Sequence, residues 1–358
     1  MSLASTKARA AQLQAGFMQM GAEPVECPIL LPAQTLLDLY GEDIRARAYT
    51  AQDPVRGEVM LRPDFTVPVV QQHMSEGAEP ARYTYAGEVF RRQEDHPERA
   101  SEYIQVGYEI FERRDTAMVD AELFASFSRI LSGRGLRAMT GDLGIVTQAV
   151  QGLQTSAAQR AALMRHIWRP KRFAALLNRY SGRTPMPESR HALLQATDPL
   201  AGSGEAIGLR SGAEIRARIK ALREDASTPA LSGNEVDLLL AILNVCETCP
   251  NALERLRDIA VDMPAISPAV ERLARRLDAM TDQGMDIESL DFDAGFGRAS
   301  MEYYDGFVFG FANPQRPDWP LVASGGRYDA LTRQLGQGRE IPAVGGVIRA
   351  GLLVEMEI

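Results

Sequence analysis

The strongest constraint on the fold is a pair of β-type segments, residues 82–91 and 103–111, joined by a charged and polar stretch, residues 92–101. Two such runs around a polar connection predict a long antiparallel hairpin. Alternation with a period of two gives the second strand an apolar face made by Ile104, Val106, Tyr108 and Ile110. The opposite face carries Tyr103, Gln105, Gly107 and Glu109. This face is either solvated, which periodicity alone favours, or a binding surface.

Shorter elements surround the hairpin. Residues 5–20 predict an amphipathic helix with Ser5 as its N-cap, and residues 36–40 predict a short helix that ends at Gly41. Residues 47–52 and 58–62 predict two strands joined by a turn. Near the other end of the chain, strands are expected over residues 303–311 and 321–324. A Gly325-Gly326 turn and a short helix containing Tyr328, Leu331 and Leu335 follow them.

Between these two β-rich parts, residues 117–285 show helical spacing interrupted by glycines, and no strand alternation persists there. We therefore expect an α+β protein with a helical insertion over residues 151–284. Residues 1–150 and 285–358 would form the core into which this segment is inserted.

Composition and charge argue against several classes of function. Of 358 residues, 45% are hydrophobic and 24% are charged, which is ordinary for a folded domain. The formal net charge of -8 argues against a protein whose main role is to coat nucleic acid. No apolar run is long enough to cross a bilayer, and the first twenty residues lack the apolar region of a signal peptide. The cytoplasm is the expected location, without a membrane partner.

Several kinds of chemistry lack their motifs. The sequence has no phosphate-binding P-loop, no HExxH pair and no GxSxG nucleophile elbow. Three cysteines, Cys27, Cys246 and Cys249, form neither a disulfide framework nor a complete zinc site, and the four histidines are scattered. We expect no metal and no cofactor.

Four stretches together resemble the catalytic core of class II aminoacyl-tRNA synthetases, and specifically histidyl-tRNA synthetase. They are LRPDFT at residues 61–66, VFRRQEDHPERASEYIQVGYE at 89–109, MEYYDGFVF at 301–309 and SGGRYDAL at 324–331. The resemblance implies a mostly antiparallel sheet flanked by helices and a self-dimer formed through the first motif.

The same resemblance implies a histidine-binding site. Residues matching Asp64, Thr66, Gln105 and Glu109 would hold the α-ammonium group and a ring nitrogen, and Arg91 would face the carboxylate. Such a set is chemically suited to an amino acid, because acceptors meet the cation and a guanidinium meets the anion. Rigid walls for the imidazole would come from Tyr303, Tyr304 and Tyr328, for which core packing is the alternative role.

Departures from the family pattern fall on the nucleotide site. Gln93 stands where a glutamate grips adenine, Ser101 replaces a loop arginine although Arg99 remains, and Ala299-Ser300 replace the signature-loop arginine. Gly351 and Leu352 replace the glutamate and arginine of the third motif. Losing one preorganised cation at a transferring phosphoryl group costs about 100-fold or more, so adenylation should be lost and we assign no catalytic residue.

The chain also ends where a synthetase would continue into an anticodon-binding domain, so no tRNA partner is expected. It therefore resembles the histidyl-tRNA synthetase paralogues that serve as regulatory subunits of ATP phosphoribosyltransferase, at the first step of histidine biosynthesis. The resemblance implies a hetero-octamer with the short catalytic subunit and allosteric feedback by histidine. Two alternatives stay open: a truncated histidine-activating enzyme that uses Arg298 and Arg349, and a stand-alone amino-acid- or tRNA-binding module.

Overall fold

The computed structural model describes residues 2–40, 42–93, 96–202, 204, 208–298 and 303–357. Within these ranges the chain forms a nine-stranded sheet, a separate three-stranded sheet and helices that pack around them. The strands are β1 (Glu23–Pro24), β2 (Leu30–Pro32), β3 (Thr50–Asp53), β4 (Gly57–Leu61), β5 (Ala81–Phe90), β6 (Glu102–Phe111), β7 (Arg137–Asp142), β8 (Cys246–Thr248), β9 (Asp291–Asp293), β10 (Phe307–Ala312), β11 (Ala323–Arg327) and β12 (Ala343–Arg349).

Helices are distributed along the whole chain. The α-helices are α1 (Leu3–Gln19), α2 (Ala33–Tyr40), α3 (Thr66–Glu76), α4 (Thr116–Ile130), α5 (Leu143–Gly152), α6 (Ala157–Arg165), α7 (Pro170–Tyr180), α8 (Glu188–Gln195), α9 (Gly212–Ser227), α10 (Gly233–Leu243), α11 (Cys249–Asp262), α12 (Ser267–Asp282), α13 (Asp329–Leu335) and α14 (Ala350–Glu355). Short 3₁₀ helices cover Glu42–Ala46 and Pro264–Ile266. No helix of the described residues is long and apolar enough to span a membrane.

The large sheet has the order β1-β5-β6-β12-β11-β10-β7-β9-β8. Its pairings are antiparallel except for β1 with β5 and β7 with β9. The predicted hairpin is confirmed as β5 and β6, whose register runs from Ala81 opposite Phe111 to Phe90 opposite Glu102. This mostly antiparallel sheet with flanking helices confirms the expected α+β class.

The apolar face of β6 is covered by α1 and α4. Phe17 of α1 lies 5.1 Å from the ring of Tyr108 and 5.2 Å from the ring of Phe127, measured between centroids. Phe17 follows Ala10 and Leu13 at helical spacing, and all three are buried. The helix therefore buries one stripe against the sheet, as amphipathic spacing predicts.

The start of α1 differs from the prediction. Ser2, not Ser5, is the N-cap, and its side chain accepts a hydrogen bond from the Ser5 backbone N–H at 3.1 Å. Both serines satisfy the cap preference, so composition alone does not distinguish them. The short helix α2 is confirmed, whereas its proposed stop, Gly41, lies outside the described residues.

The expectation of an uninterrupted helical stretch over residues 117–285 is wrong in two places. Strand β7 pairs antiparallel with β10, and β8 pairs with β9 at the edge of the same sheet. Both strands are short, and a run of three to six residues shows too few alternations to be separated from a helical segment. The division into a core and an insertion over residues 151–284 stays a prediction.

The expected Gly325-Gly326 turn is also wrong, because both glycines lie inside β11. A Cβ at Gly325 would lie 2.4 Å from the Gly345 carbonyl oxygen and 2.5 Å from the Phe309 ring. These glycines therefore allow close packing of neighbouring groups rather than a reversal of the chain. The preceding strand begins only at Phe307, so Tyr303 and Tyr304 lie in the connection before it.

Candidate functional site

A cavity of about 760 Å³ lies against the polar face of β6. Six of the eight predicted site residues line it, namely Asp64, Thr66, Arg91, Gln105, Tyr303 and Tyr304. The other two, Glu109 and Tyr328, lie behind this lining. The structure therefore brings the predicted set together around one cavity and an adjoining buried cluster.

Glu109 is the centre of that cluster, and its side chain is fully buried. One carboxylate oxygen, Oε1, accepts hydrogen bonds from the Tyr85 hydroxyl at 2.7 Å and from the Thr66 hydroxyl at 3.1 Å. The other, Oε2, accepts one from the Tyr328 hydroxyl at 2.5 Å. Three hydroxyl donors thus stabilise a carboxylate that forms no ion pair with a cation among the described residues.

Burial raises the pKa of Glu109 to about 7, although the three hydroxyl groups oppose this shift and Asp64 adds to it. Removing a carboxylate from water disfavours its charged form, and neutral donors compensate only in part. The group therefore lies close to half-ionised near neutrality. A cation that reached it would favour the ionised form.

Two glycines make room for this cluster. Gly107 lies opposite Tyr85 across the β5–β6 pair, and a Cβ there would meet the Tyr85 ring and hydroxyl at 2.1 to 2.3 Å. Gly345 lies opposite Glu109 across the β6–β12 pair, and a Cβ there would lie 1.3 Å from Glu109 Oε2. A larger residue at either position would displace the buried side chain.

Gln105 lines the cavity with an unsatisfied amide. Its side chain is fully buried, and neither Oε1 nor Nε2 has a hydrogen-bond partner among the described residues. An unpaired buried polar group costs about 1–3 kcal/mol. The amide therefore favours a polar ligand that enters the cavity, and the face of β6 that carries it is not solvated.

The predicted tyrosines form a continuous aromatic wall. Ring centroids lie 4.9 Å apart for Tyr303 and Tyr304, and 6.0 Å apart for Tyr303 and Tyr328. Tyr304 is buried, which raises the pKa of its hydroxyl, with further contributions from the charges of Glu109 and Asp64. Tyr303 and Tyr304 thus combine packing with cavity lining, whereas Tyr328 packs behind them.

Several arginines line the cavity. Arg91 Nε donates a hydrogen bond to the Pro63 carbonyl at 2.7 Å, and Arg99 Nη2 donates one to the Asp318 carbonyl at 2.9 Å. Arg349 donates to the Leu321 carbonyl. Backbone carbonyls therefore hold these side chains in place, so that guanidinium groups form part of the cavity lining.

The residues at the altered nucleotide positions differ in where the structure places them. Gln93, Gly351 and Leu352 line the cavity, whereas Ala299 and Ser300 lie outside the described residues. Arg298, which an active enzyme would use, does not line the cavity. It is buried, its Nε donates to the Ile167 carbonyl at 2.8 Å, and its guanidinium lies 4.9 Å from the Phe173 ring centroid.

Sequence reasoning missed Tyr85 and Trp319. Tyr85 donates to Glu109 and stacks on Phe65 with centroids 4.3 Å apart, and Trp319 lines the cavity. Gly107 could have indicated the role of Tyr85, because a glycine inside a strand often marks the close approach of another group. Trp319 lies outside the strands and helices, and its sequence neighbourhood carried no comparable signal.

Within the described residues, no group of three or more His, Cys, Asp or Glu side chains is arranged to hold a metal ion. Cys27 and Cys249 have a raised pKa of about 11, which burial causes in both. A protonated thiol is a poor nucleophile and a poor metal ligand. The polar groups of the cavity are therefore carboxyl, amide, hydroxyl and guanidinium groups.

The mostly antiparallel sheet, with a cavity on the polar face of its β5–β6 hairpin, defines a class II synthetase-like domain. The sequence model of the family Histidyl-tRNA synthetase matches residues 2–228 and 213–350. A protein from Brucella anthropi named ATP phosphoribosyltransferase regulatory subunit is 30% identical over 348 residues, which cover 90% of each chain. A protein of the same name from Brucella canis is 30% identical over 345 residues, again covering 90% of each.

The chain belongs to the histidyl-tRNA synthetase family and, within it, to the ATP phosphoribosyltransferase regulatory subunits. The predicted resemblance is thereby confirmed.

Solved structures agree on the fold. One from Bacillus halodurans, titled an ATP phosphoribosyltransferase regulatory subunit/histidyl-tRNA synthetase, gives a TM-score of 0.70 at 21% identity and covers 98% of this chain and 79% of that one. A histidyl-tRNA synthetase from Nostoc gives a TM-score of 0.65 at 17% identity, covering 98% and 70%. At these identities the likeness supports the fold alone.

Proposed function

We propose that this chain is the non-catalytic regulatory subunit that assembles with the short catalytic subunit of ATP phosphoribosyltransferase, at the first step of histidine biosynthesis. The names of its relatives support the regulatory role. The altered nucleotide positions support the lack of synthetase chemistry, because Gly351 and Leu352 supply no cation. The catalytic subunit would carry out phosphoribosyl transfer, and this chain would control it.

The ligand of the cavity is, in this proposal, free histidine. The observation that carries the proposal is the unpartnered buried amide of Gln105, which lies beside acceptor and guanidinium groups. Burial of such an amide is unfavourable without a partner, and a ligand with both donors and acceptors would supply one. Histidine has an ammonium group, a carboxylate and a ring with a donor and an acceptor.

Six of the predicted residues line the cavity, and Glu109 adjoins this lining through its hydrogen bond with Thr66. Asp64, Thr66 and Glu109 provide oxygen acceptors for the α-ammonium group and for a ring N–H. Arg91 provides a guanidinium for the carboxylate, which is a strong charge-assisted pair. Tyr303 and Tyr304 would contact the imidazole in the cavity, and Tyr328 would support Tyr303 from behind.

Feedback then follows from differential binding. Histidine would favour one of two arrangements of the assembly, with a coupling free energy of about 1–3 kcal/mol. We propose a cytoplasmic hetero-octamer that contains self-dimers of this chain and no tRNA.

Calorimetric titration with histidine tests the ligand. We expect Gln105→Met to weaken histidine binding at least about tenfold, because the hydrogen bonds of the amide are lost while its volume is kept. Gln72→Met, an exposed change on α3, serves as the matched control and should leave the affinity unchanged. Equal affinities for Gln105→Met and the unaltered protein would exclude this site.

The alternative of a histidine-activating enzyme has its own assay. Such an enzyme would exchange pyrophosphate into ATP when histidine is present. We expect no exchange above background, since Arg298 is committed to the Ile167 carbonyl and the Phe173 ring. Histidine-dependent exchange would contradict the non-catalytic assignment.

A further inference from the structure

The chain has an uneven distribution of charge. Residues 151–227 contain thirteen Lys and Arg against six Asp and Glu, a formal charge of +7, so the remainder of a chain of net charge -8 carries -15. Within this segment, Arg165, Arg169, Lys171 and Arg172 fall in eight residues without an acidic neighbour. We call these four residues the junction patch, because they lie where α6 ends and α7 begins.

Three of the four residues of the junction patch are accessible. Arg165, Lys171 and Arg172 are exposed, and no ion pair to a described carboxylate is found for any of these three. His166, between them, has its pKa lowered by burial and then by Arg169, Arg172 and Arg165. Positive charges that lower the pKa of a neighbouring imidazole in this way are close together and would be stabilised by an approaching anion.

The inner side of the same junction contacts the wall of the cavity. Trp168 Nε1 donates a hydrogen bond to the Tyr304 carbonyl at 3.3 Å, and the indole packs against both adjoining hydrophobic clusters. Arg298, in the connection that also carries Tyr304, donates to the Ile167 carbonyl at 2.8 Å. Two hydrogen bonds therefore join the junction to the connection that forms the aromatic wall.

We infer that the junction patch is a docking surface for an acidic segment of the catalytic subunit, and that Trp168 transmits docking to the histidine cavity through Tyr304. This inference rests on the proposed function for the identity of the partner. A short acidic segment is favoured over RNA because a long polyanion would also face the remaining -15 of the chain. Trp168 acts here as a positioning residue.

Charge reversal tests the surface. We expect Lys171→Glu/Arg172→Glu to weaken binding of the catalytic subunit at least about tenfold in sedimentation or calorimetric assays at low salt. Arg255→Glu/Arg257→Glu on α11 changes the net charge equally and should retain binding within about twofold. If the unaltered chain forms no complex, the proposed function fails. If the unaltered chain forms a complex and both double variants bind the catalytic subunit equally tightly, the docking inference is overturned.

Trp168→Phe tests the transmission. This change removes the indole N–H and keeps an aromatic ring, so we expect the complex to form normally. The ratio of histidine affinities with and without the catalytic subunit should fall towards one, while the affinity of the isolated chain changes little. An unchanged ratio would overturn the role of Trp168. Tight binding of mixed-sequence RNA that the Lys171→Glu/Arg172→Glu variant abolishes, without competition from the catalytic subunit, would overturn the choice of partner.

Discussion

Glu109 concentrates the chemistry of the site in one side chain. Its carboxylate is surrounded by hydroxyl donors and has no water-exposed surface, so its protonation depends on what enters the cavity. In the unfolded chain this carboxyl group would have its ordinary pKa. Its pKa is higher in the folded protein, so the folded protein binds the proton more tightly.

The direction of the pH effect follows. A carboxyl pKa raised from 4.5 to about 7 means that the folded state holds more protons between these values, so stability falls as the pH rises through this range. We expect Glu109→Gln to remove this dependence, with a difference from the unaltered protein of up to about 3 kcal/mol. Urea unfolding from pH 4 to 8 measures it, and parallel stability profiles would contradict the raised pKa.

At this scale the sequence predicted which residues share a face but not how far they are buried. Period-two alternation correctly placed Gln105 and Glu109 together. Their burial depends on β12 and on the connection that carries Tyr303 and Tyr304, which lie about 190 to 240 residues away in sequence. A contact of that separation leaves no trace in local periodicity.

Among the elements, β12 makes room for the site because it has no side chain at Gly345. Gly345 lies opposite Glu109, so any side chain there would occupy the position of the carboxylate. The resemblance indicated lost cations at Gly351 and Leu352. It did not indicate that Gly345 determines the shape of the site. Only the pairing of β6 with β12 shows that Gly345 leaves space for Glu109.

Gly345→Ala should therefore destabilise the fold by about 1–3 kcal/mol and weaken histidine binding, because Glu109 must move. Combining it with Glu109→Ala should recover much of the stability, since the clash then disappears. Gly233→Ala, where no atom of the described residues lies within 4 Å of the added carbon, is the control. Additive losses in the double variant, measured by urea unfolding, would contradict the proposed clash.

A buried ion-pair network joins α12 to the strand that precedes Tyr328. Arg276 contacts Asp120 at 3.3 Å and Asp142 at 2.8 Å, and Arg327 contacts Asp120 at 2.7 Å. Burial raises the pKa of Asp120, while the two arginines oppose the shift. The network fixes helix and sheet relative to each other. The sequence did not predict it, since its members come from four separate elements.

Asp120→Asn should destabilise the protein by about 3–5 kcal/mol, because it leaves two buried guanidinium groups without this partner. Arg333→Gln, which breaks the exposed pair with Glu340, should cost less than about 1 kcal/mol. Denaturant unfolding of both variants at pH 7 provides the comparison. A loss for Asp120→Asn no larger than that for Arg333→Gln would show that the network does not support the fold.

For the whole molecule, the sequence predicted the class of fold because four motifs kept their order and spacing. It failed where single elements are short, as in β7 and β8, since their formation depends on neighbours rather than on their own pattern. The fold alone does not define the activity, because a synthetase and a regulatory subunit share it. The relatives' names, together with the altered nucleotide positions, support the regulatory role.

The most direct test of this role is the rate of phosphoribosyl transfer by the short catalytic subunit, measured alone, with this chain, and with this chain plus histidine. We expect a clear gain when this chain is added, and a loss of that gain when histidine is added. The loss should require a higher histidine concentration with Gln105→Met. A catalytic subunit whose rate is the same in all three mixtures would contradict the regulatory role.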